Sequence, residues 1–229
     1  MSDLIDTTEM YLRTIYEMAE DGVLPMRARI AEQLGHSGPT VSQTIARMER
    51  DGLVHVTAAD HHLEFTPTGR AIATRVMRKH RLAERLLTDV VGLGLQYVHD
   101  EACRWEHVMS DLVEERLLTL LEDPATSPYG NRVPGLEELG VDATAARAEG
   151  GELSVEKAAD DGIAKAHVTR VGEPAQAAPG VLDQMVAAGL MPGASVSIVR
   201  ARDGVTLDAG KGAVVFDEVV ARHVFVKVV

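Results

Sequence analysis

Residues 26–66 constrain the fold more than any other segment of this sequence. A helical pattern over residues 27–34 is followed by a tight turn, Gly35 to Ser37, and by a second helical pattern from Pro39 to about residue 51. Two short runs of alternating apolar and polar residues come next and predict a β-hairpin. These runs are residues 53–56 and 63–66. Helix, three-residue turn, helix and hairpin together predict a winged helix-turn-helix domain.

The second helix of this motif has an outer face suited to DNA. Val41, Ile45 and Met48 recur at spacings of four and three and predict the buried face. The opposite face carries hydroxyl, amide and guanidinium groups, which bind base edges and phosphates. A merely solvated face usually carries Glu and Lys, so the scarcity of acidic residues here favours DNA binding. The predicted DNA-contacting residues are Arg27, Ser37, Pro39, Thr40, Ser42, Gln43, Thr44, Arg47 and Arg50.

The net charge of −12 does not oppose this prediction, because the charge is unevenly distributed. Residues 1–81 contain ten basic and eleven acidic side chains, a net charge of −1, whereas residues 82–229 carry −11. A nearly neutral segment can present a local basic face to phosphates. The acidic N-terminus does not resemble a signal peptide, no apolar run is long enough for a bilayer, and the single cysteine cannot form an internal disulfide. We therefore expect a cytoplasmic protein.

The segment from His99 to His107 carries five potential metal-binding side chains in nine residues. His99, Cys103 and His107 are four residues apart, which places them on one face of a helix, and Glu106 lies at the edge of that face. Any one of these residues is more often an ordinary structural group, and a lone cysteine is usually a small buried hydrophobe. Helix packing does not require all of them together, whereas iron, cobalt, nickel or zinc binds such a donor set.

Two long helices are predicted to carry the metal-binding residues. The first spans residues 69–93 and places His80 and Glu84 four residues apart on one face, a weak signal by itself. Gly92 and Gly94 interrupt the helical pattern before the second helix, residues 96–122. Both helices have more apolar residues than one small domain needs, which predicts a helical dimer interface.

The remaining segments add a first helix and a β-rich end. Residues 3–20 predict a helix containing Met10, which is a plausible ligand only if the fold brings it to the cluster at residues 99–107. Residues 123–142, rich in Pro and Gly, predict a structured loop that leads into a flexible linker. Short β runs then predict a small barrel of about 70 residues. The predicted strands are residues 166–171, 195–201, 205–207, 213–216 and 223–229, with a helix at residues 182–188.

In these motifs the sequence resembles the diphtheria toxin repressor and iron-dependent regulator family of metal-activated transcriptional repressors. The resemblance covers residues 1–140 almost without gaps and is thinner beyond, where it rests on the barrel pattern and on Glu173 and Gln176. The segments that carry it are residues 6–15, 27–32, 37–43, 47–52, 76–84, 99–110, 127–131 and 134–136.

The resemblance implies a multidomain chain, mainly α with α+β. It comprises a winged helix-turn-helix domain (residues 1–73), a helical dimerisation and metal-binding domain (74–140), a linker (141–151) and a C-terminal SH3-like small β-barrel (152–229). It also implies two metal ions per chain. The regulatory site would use Met10, Cys103, Glu106 and His107. The ancillary site would use His80, Glu84, His99, Glu173 and Gln176. The anion-binding position would use Arg81, Ser127 and Asn131.

A switch is the expected mechanism, because Met10 belongs to the DNA-binding half and Cys103 to the dimerisation half. A metal held by both would fix the spacing of the two recognition helices of a homodimer, which must meet half-sites about 34 Å apart or a multiple of it. The two sulfur donors favour Fe(II) over Mn(II), and Co(II), Ni(II), Zn(II) or Mn(II) should also activate in vitro. The expected operator is an inverted repeat at iron-uptake or siderophore genes, bound by two dimers.

The alternatives are a Mn(II)-responsive regulator of the same family, a metalloenzyme that uses the Cys-Glu-His cluster, and a metal-independent winged-helix regulator. The sequence has no Gly-rich phosphate loop and no acid–base pair away from the metal-binding residues, which disfavours the enzyme. One departure from the family concerns the wing, which is one residue longer than expected. His61 and His62 stand where an arginine would be usual, so we expect a weaker phosphate contact there.

Overall fold

The computed structural model describes residues 6–122, 124–141 and 151–228. The N-terminal part contains three helices and a hairpin, as predicted. These elements are α1 (Thr7–Glu20), α2 (Arg27–Leu34), α3 (Gly38–Arg50), β1 (Val54–Val56) and β2 (Leu63–Phe65). Gly35 ends α2 in the left-handed conformation at φ +65°, and Ser37 caps α3 by accepting a hydrogen bond from the Thr40 amide at 3.3 Å.

The predicted inner face of α3 is confirmed. Val41, Ile45 and Met48 are fully buried and belong to one apolar core with α1, which contributes Tyr11 and Leu12. The helices α1 and α3 therefore share a core and should move as one body.

The predicted helix over residues 69–93 is confirmed in outline, and the predicted helix over residues 96–122 is wrong. The first is α4 (Pro67–Leu86), which continues as a π-helical turn to Val91. The second is divided into α5 (Leu95–Trp105) and α6 (Asp111–Leu120). Between them Ser110 caps α6 by accepting a hydrogen bond from the Val113 amide at 3.3 Å, and a serine N-cap favours a new helix start.

The C-terminal part is a six-stranded antiparallel sheet with strand order β3-β8-β4-β5-β6-β7. Every strand predicted from the sequence is present, and the 3-residue β3 was not predicted because it is too short to display alternation. The strands are β3 (Glu152–Ser154), β4 (Lys165–Val171), β5 (Ser195–Ala201), β6 (Gly204–Asp208), β7 (Ala213–Phe216) and β8 (Val224–Val228). The helices are α7 (Val155–Asp160), α8 (Glu173–Ala177), α9 (Val181–Ala188) and α10 (Glu218–Ala221).

The C-terminal sheet packs directly on the helical domain. Buried side chains of α4 and α5, among them Ala83, Val98 and Ala102, belong to the same apolar cluster as the sheet. Tyr129 connects the two parts, because its carbonyl oxygen accepts a hydrogen bond from the Val171 amide of β4 at 2.8 Å and its hydroxyl donates to the Leu95 carbonyl oxygen at 2.5 Å. This packing places α8 against α5. Most of the predicted linker, residues 142–150, lies outside the described residues. Among the described helices, none combines the length and the hydropathy that crossing a membrane requires.

Candidate metal centre and DNA-binding surface

Four predicted metal-binding side chains meet where α4 packs on α5. His80 and Glu84 on α4 are fully buried, and His80 Nε2 lies 2.9 Å from Glu84 Oε1. One ligand atom from each of His80, His99 and Cys103 lies within 4.8 Å of the others, a spacing at which a single metal ion can be shared. The four-residue spacing predicted from the sequence puts two donors on one face of each helix, and the packing of α4 on α5 brings the two pairs together.

The turn after α5 brings two further predicted ligands to the same place. Glu106 Oε2 lies 2.6 Å from His80 Nδ1, and His107 Nε2 lies 3.2 Å from Glu106 Oε1. Cys103 Sγ lies 3.6 Å from His99 Nε2. The two predicted sites are thus one continuous polar cluster, and the division of its members between two ions stays a prediction.

The first helix adds one predicted and two unpredicted residues to the cluster. Met10 lines the same cavity, of about 1030 Å³, as Cys103, Glu106 and His107. Arg13, which sequence reasoning missed, places Nη1 3.1 Å from Cys103 Sγ, 3.0 Å from Glu106 Oε1 and 2.8 Å from Glu106 Oε2. Arg13 lies three residues after Met10, a spacing that puts the two side chains on one face of α1 but does not identify Cys103 or Glu106 as partners of Arg13.

The second unpredicted residue is Glu9, which holds His107. Glu9 Oε2 lies 2.7 Å from His107 Nδ1. Together with Arg13, this contact joins α1 of the DNA-binding part to the end of α5.

The electrostatics of the cluster suit metal binding. Burial opposes ionisation of Cys103, but Arg13 and His99 hold the pKa of its thiol well below the usual value. Burial likewise opposes ionisation of Glu106, yet Arg13 and His80 hold its pKa at about 2. Despite its burial, His99 has its pKa raised to about 9 by Cys103 and Glu84. The thiolate and the carboxylate are the forms that bind metals, and a cation would displace protons from the imidazoles.

Four buried atoms of the predicted ancillary set have no hydrogen-bond partner among the described residues. They are Glu84 Oε2, His99 Nδ1, Glu173 Oε2 and Gln176 Oε1. Leaving a buried polar atom unsatisfied costs about 1–3 kcal/mol, and oxygen and nitrogen atoms of this kind are the ones that a bound cation satisfies. The donor set therefore fits a metal ion, and two of its members reach the helical domain from α8 of the C-terminal part.

The predicted anion-binding residues lie beside the cluster and are engaged by protein groups. Arg81 is fully buried, with Nε and Nη2 at 2.9 and 2.7 Å from Glu173 Oε1 and Nη2 at 2.5 Å from Glu20 Oε2. Asn131 Nδ2 donates to the Val171 carbonyl oxygen at 2.7 Å. The Ser127 hydroxyl accepts a hydrogen bond from the Tyr129 amide at 3.2 Å. In this structure the anionic groups that pair with Arg81 are the carboxylates of Glu173 and Glu20.

The predicted DNA-contacting residues form an exposed surface on and around α3. Most of them are exposed, and Arg27 and Thr44 are half-buried. Arg47 Nη2 donates to the Thr8 hydroxyl at 3.3 Å, which links the exposed face of α3 to the first turn of α1. In the wing, His61 has a positive φ of 61°, and His62 Nδ1 lies 2.5 Å from Asp60 Oδ1. His62 is therefore engaged by a carboxylate, and we still expect a weak phosphate contact there.

Known proteins are similar to this chain in sequence. Residues 3–62 match the family profile described as iron dependent repressor, N-terminal DNA binding domain, and residues 66–135 match its metal binding and dimerisation domain. The chain is 58% identical over 204 residues to the diphtheria toxin repressor of Corynebacterium diphtheriae, covering 89% of this chain and 88% of that protein. It is 68% identical over 141 residues to the iron-dependent repressor IdeR of Mycobacterium tuberculosis, covering 62% and 61% respectively.

Solved structures share the fold at lower sequence identity. ScaR with bound Zn2+ superposes with a TM-score of 0.77 at 24% identity, covering 98% of this chain and 100% of that one. The manganese regulator SloR superposes with a TM-score of 0.75 at 23% identity, with the same coverage. The three-part architecture, a winged helix, a helical domain and a C-terminal sheet, is thus common to this chain and to these regulators.

Proposed function

The chain belongs to the iron-dependent repressor family, and from that membership we propose that it is an Fe(II)-activated repressor of iron-uptake or siderophore genes. It is a metal-binding transcriptional repressor with a DNA-binding domain and a dimerisation domain, and it acts as a homodimer on double-stranded DNA. A repressor works where its operator is, so we place it in the cytoplasm. The observation that carries the proposal is the donor cluster shared by α1, α4, α5 and α8, with its unsatisfied buried atoms.

Two metal ions per chain account for the cluster. We assign Met10, Cys103, Glu106 and His107 to a regulatory site. We assign His80, Glu84, His99, Glu173 and Gln176 to an ancillary site. A bound transition metal would supply a fixed coordination bond between α1 and α5, which belong to different domains. The thioether of Met10 and the thiolate of Cys103 favour Fe(II) over Mn(II), since soft donors suit iron better.

The switch follows from the shared core of α1 and α3. Because Leu12 and Ile45 belong to one buried cluster, a fixed position of α1 fixes the position of α3. In a homodimer the two copies of α3 must enter successive major grooves about 34 Å apart, so fixing α1 against α5 selects the DNA-binding geometry. A few kcal/mol of differential metal affinity between the two geometries is enough.

The decisive experiment is anaerobic fluorescence anisotropy on a labelled inverted-repeat duplex. The protein is titrated with Fe(II) and then with a chelator, with a scrambled duplex as the matched control. Anisotropy should rise with Fe(II) on the inverted repeat alone and fall on chelation. Equal binding with chelator present would exclude metal activation. Sedimentation of the saturated complex should give two dimers per operator.

The main alternative is a Mn(II)-responsive repressor of the same family. Titrations with Mn(II) and Fe(II) on the same duplex distinguish the two. Half-maximal binding at a lower free Mn(II) than free Fe(II) concentration would favour the alternative. A metalloenzyme is not favoured by any feature of the described residues, since the buried donors face one another and the family consists of transcriptional repressors.

A further inference from the structure

The Arg13 guanidinium occupies the position that a metal ion would need in the proposed regulatory site. Its Nη1 lies between 2.8 and 3.1 Å from three ligand atoms, one sulfur and two oxygens. Each of these atoms belongs to Cys103 or Glu106. A single positive charge thus already satisfies the anionic donors on which that site depends.

A metal ion and Arg13 cannot hold these atoms at the same time. Thiolate sulfur binds a metal such as zinc at about 2.3 Å and carboxylate oxygen at about 2.0–2.2 Å, so the ion would lie among atoms that Nη1 now contacts. Two cations this close in a buried site repel each other strongly. The guanidinium must therefore leave before the ion can bind both Cys103 and Glu106.

The structure provides an anchor and space for that movement. Arg13 Nε lies 2.7 Å from Glu17 Oε1, a contact within α1 that does not depend on α5. Arg13 also lines the cavity of about 1030 Å³ that extends from the cluster towards Leu24 and Arg29. The side chain can turn into this cavity while Glu17 keeps its charge compensated.

We propose that Arg13 is a built-in competitor of the regulatory metal: its guanidinium holds Cys103 and Glu106 in the metal-free chain and must be displaced for activation. This inference rests on the proposed function and deepens it. In the metal-free chain Arg13 connects α1 to α5, and in the metal-bound chain Met10 makes that connection as a ligand of the metal. The two residues are three apart and line the same cavity, so Met10 can replace Arg13 at the donors from the same face of α1. The competition also sets the metal concentration at which the repressor responds.

The test compares metal affinity in R13Q, R13K and the unmodified chain. Gln removes the charge and keeps a polar side chain, whereas Lys keeps the charge and loses the bidentate geometry. R29Q is the matched control, because Arg29 lines the same cavity and donates to the Leu24 carbonyl oxygen, with no contact to Cys103 or Glu106. Anaerobic Co(II) titration at pH 8 against a competing chelator reports the affinity, and the thiolate-to-cobalt charge-transfer absorbance reports binding at Cys103.

The expected result is a Co(II) dissociation constant at least about tenfold lower in R13Q than in the unmodified chain, with R13K intermediate and R29Q unchanged. In the absence of metal, R13Q should have a lower Tm and a changed rate of Cys103 alkylation, because the thiolate has lost its counter-charge. If R13Q does not fold, a lower Co(II) dissociation constant in R13K alone supports the proposal, and an unchanged one overturns it.

Two contrary results have different meanings. An unchanged or weaker Co(II) affinity in both Arg13 variants, with normal charge-transfer absorbance in the unmodified chain, overturns the role of Arg13 and leaves the proposed function intact. Absence of the charge-transfer absorbance in the unmodified chain overturns the regulatory site itself, and with it the competition.

Discussion

The two proposed metal sites adjoin each other but differ in how their side chains are held. In the ancillary site, oxygen or nitrogen atoms of Glu84, His99, Glu173 and Gln176 are buried without hydrogen-bond partners. In the regulatory site, the corresponding atoms of Cys103, Glu106 and His107 are engaged by α1, through Arg13 and Glu9. The first site thus has unpaired atoms beside its existing contacts, such as those of Glu84 with His80 and of Glu173 with Arg81, whereas the anionic donors of the second site are already bound by a cation from α1.

From this difference we expect different roles for the ions at the two proposed sites. A ligand shifts a conformational equilibrium only through its differential affinity for the two states. Binding at the ancillary site satisfies unpaired atoms of α4, α5 and α8, so we expect it chiefly to stabilise the structure. Binding at the regulatory site exchanges contacts between α1 and α5, so it can move the DNA-binding part. His80 connects the two sites, since Nδ1 faces Glu106 and Nε2 faces Glu84.

Removing a sulfur donor should have the largest effect. Cys103→Ala and Met10→Ala should each weaken Fe(II)-dependent DNA binding more than about 100-fold, over 2.7 kcal/mol, because the tie between α1 and α5 is lost. Fluorescence anisotropy with the operator duplex measures this. Arg104→Ala, an exposed neighbour on α5, is the control. Normal DNA binding by both sulfur variants at low metal would show that the regulatory site is assigned wrongly.

Acidification should weaken metal binding through His99. The pKa of His99 is raised to about 9, although burial opposes this, by Cys103 and Glu84, and a metal needs the neutral imidazole. Below that pKa, each proton released on binding makes the apparent metal affinity rise about tenfold for every unit increase in pH. The affinity should therefore rise from pH 7 to 9. Isothermal titration calorimetry in buffers of different ionisation enthalpy counts the protons.

The metal-free chain should show the opposite trend. Because the folded-state pKa of His99 lies above its unfolded value, its stabilising contribution is fully present below about pH 6.5 and is lost as pH rises through about 9. In thermal unfolding with chelator present, from pH 6 to 9, His99 should add a downward slope to Tm, opposite in sign to the slope from Cys103, whose pKa is held low. A His99→Gln variant should flatten that slope, and an equally steep slope in the variant would contradict this assignment.

Loss of an ancillary donor should weaken repression without abolishing it. Glu84→Gln should reduce the bound metal from two ions to one per chain and weaken metal-dependent DNA binding about tenfold, about 1.4 kcal/mol. Elemental analysis of the dialysed protein gives the metal content. Glu115→Gln on α6 is the matched control. Complete loss of DNA binding in Glu84→Gln would mean that the two sites are not functionally distinct.

Loss of the contact between the C-terminal domain and α1 should have the smallest effect on metal binding. Asp21, at the end of α1, lies 2.6 Å from both Arg170 Nη1 and His223 Nδ1, and its side chain is nearly buried. It also packs against Gly172, directly before α8, which carries Glu173 and Gln176. Asp21→Asn should therefore loosen α8 and weaken ancillary metal binding about threefold, under 1 kcal/mol.

The same Asp21 variant should leave the cobalt–thiolate absorbance of Cys103 unchanged, because Asp21 has no contact with the regulatory donors among the described residues. Asp161→Asn, which removes an exposed pair with Lys157, is the control and should change neither measurement. A larger loss at Cys103 than at the ancillary site would show that the C-terminal domain acts on the switch itself.

Features that depend on residues close together in the chain could be predicted from the sequence. The helix-turn-helix follows from the left-handed Gly35 and the capping Ser37, and both act on their immediate neighbours. The donors on α4 and α5 follow from a four-residue spacing, which a helix always converts into one face. The break between α5 and α6 was missed, because apolar residues continue across Ser110 and hide the new helix start.

Only the tertiary structure decided the contacts between residues that are far apart in the chain. Arg13 and Cys103 are 90 residues apart, and Asp21 and His223 are 202 apart, so neither pair has a spacing that could reveal it. The sequence by itself determined which side chains could bind a metal and which helix could face DNA. The structure decided which donors are already compensated and which remain unsatisfied, because hydrogen-bond partners in a core depend on the packing of whole domains.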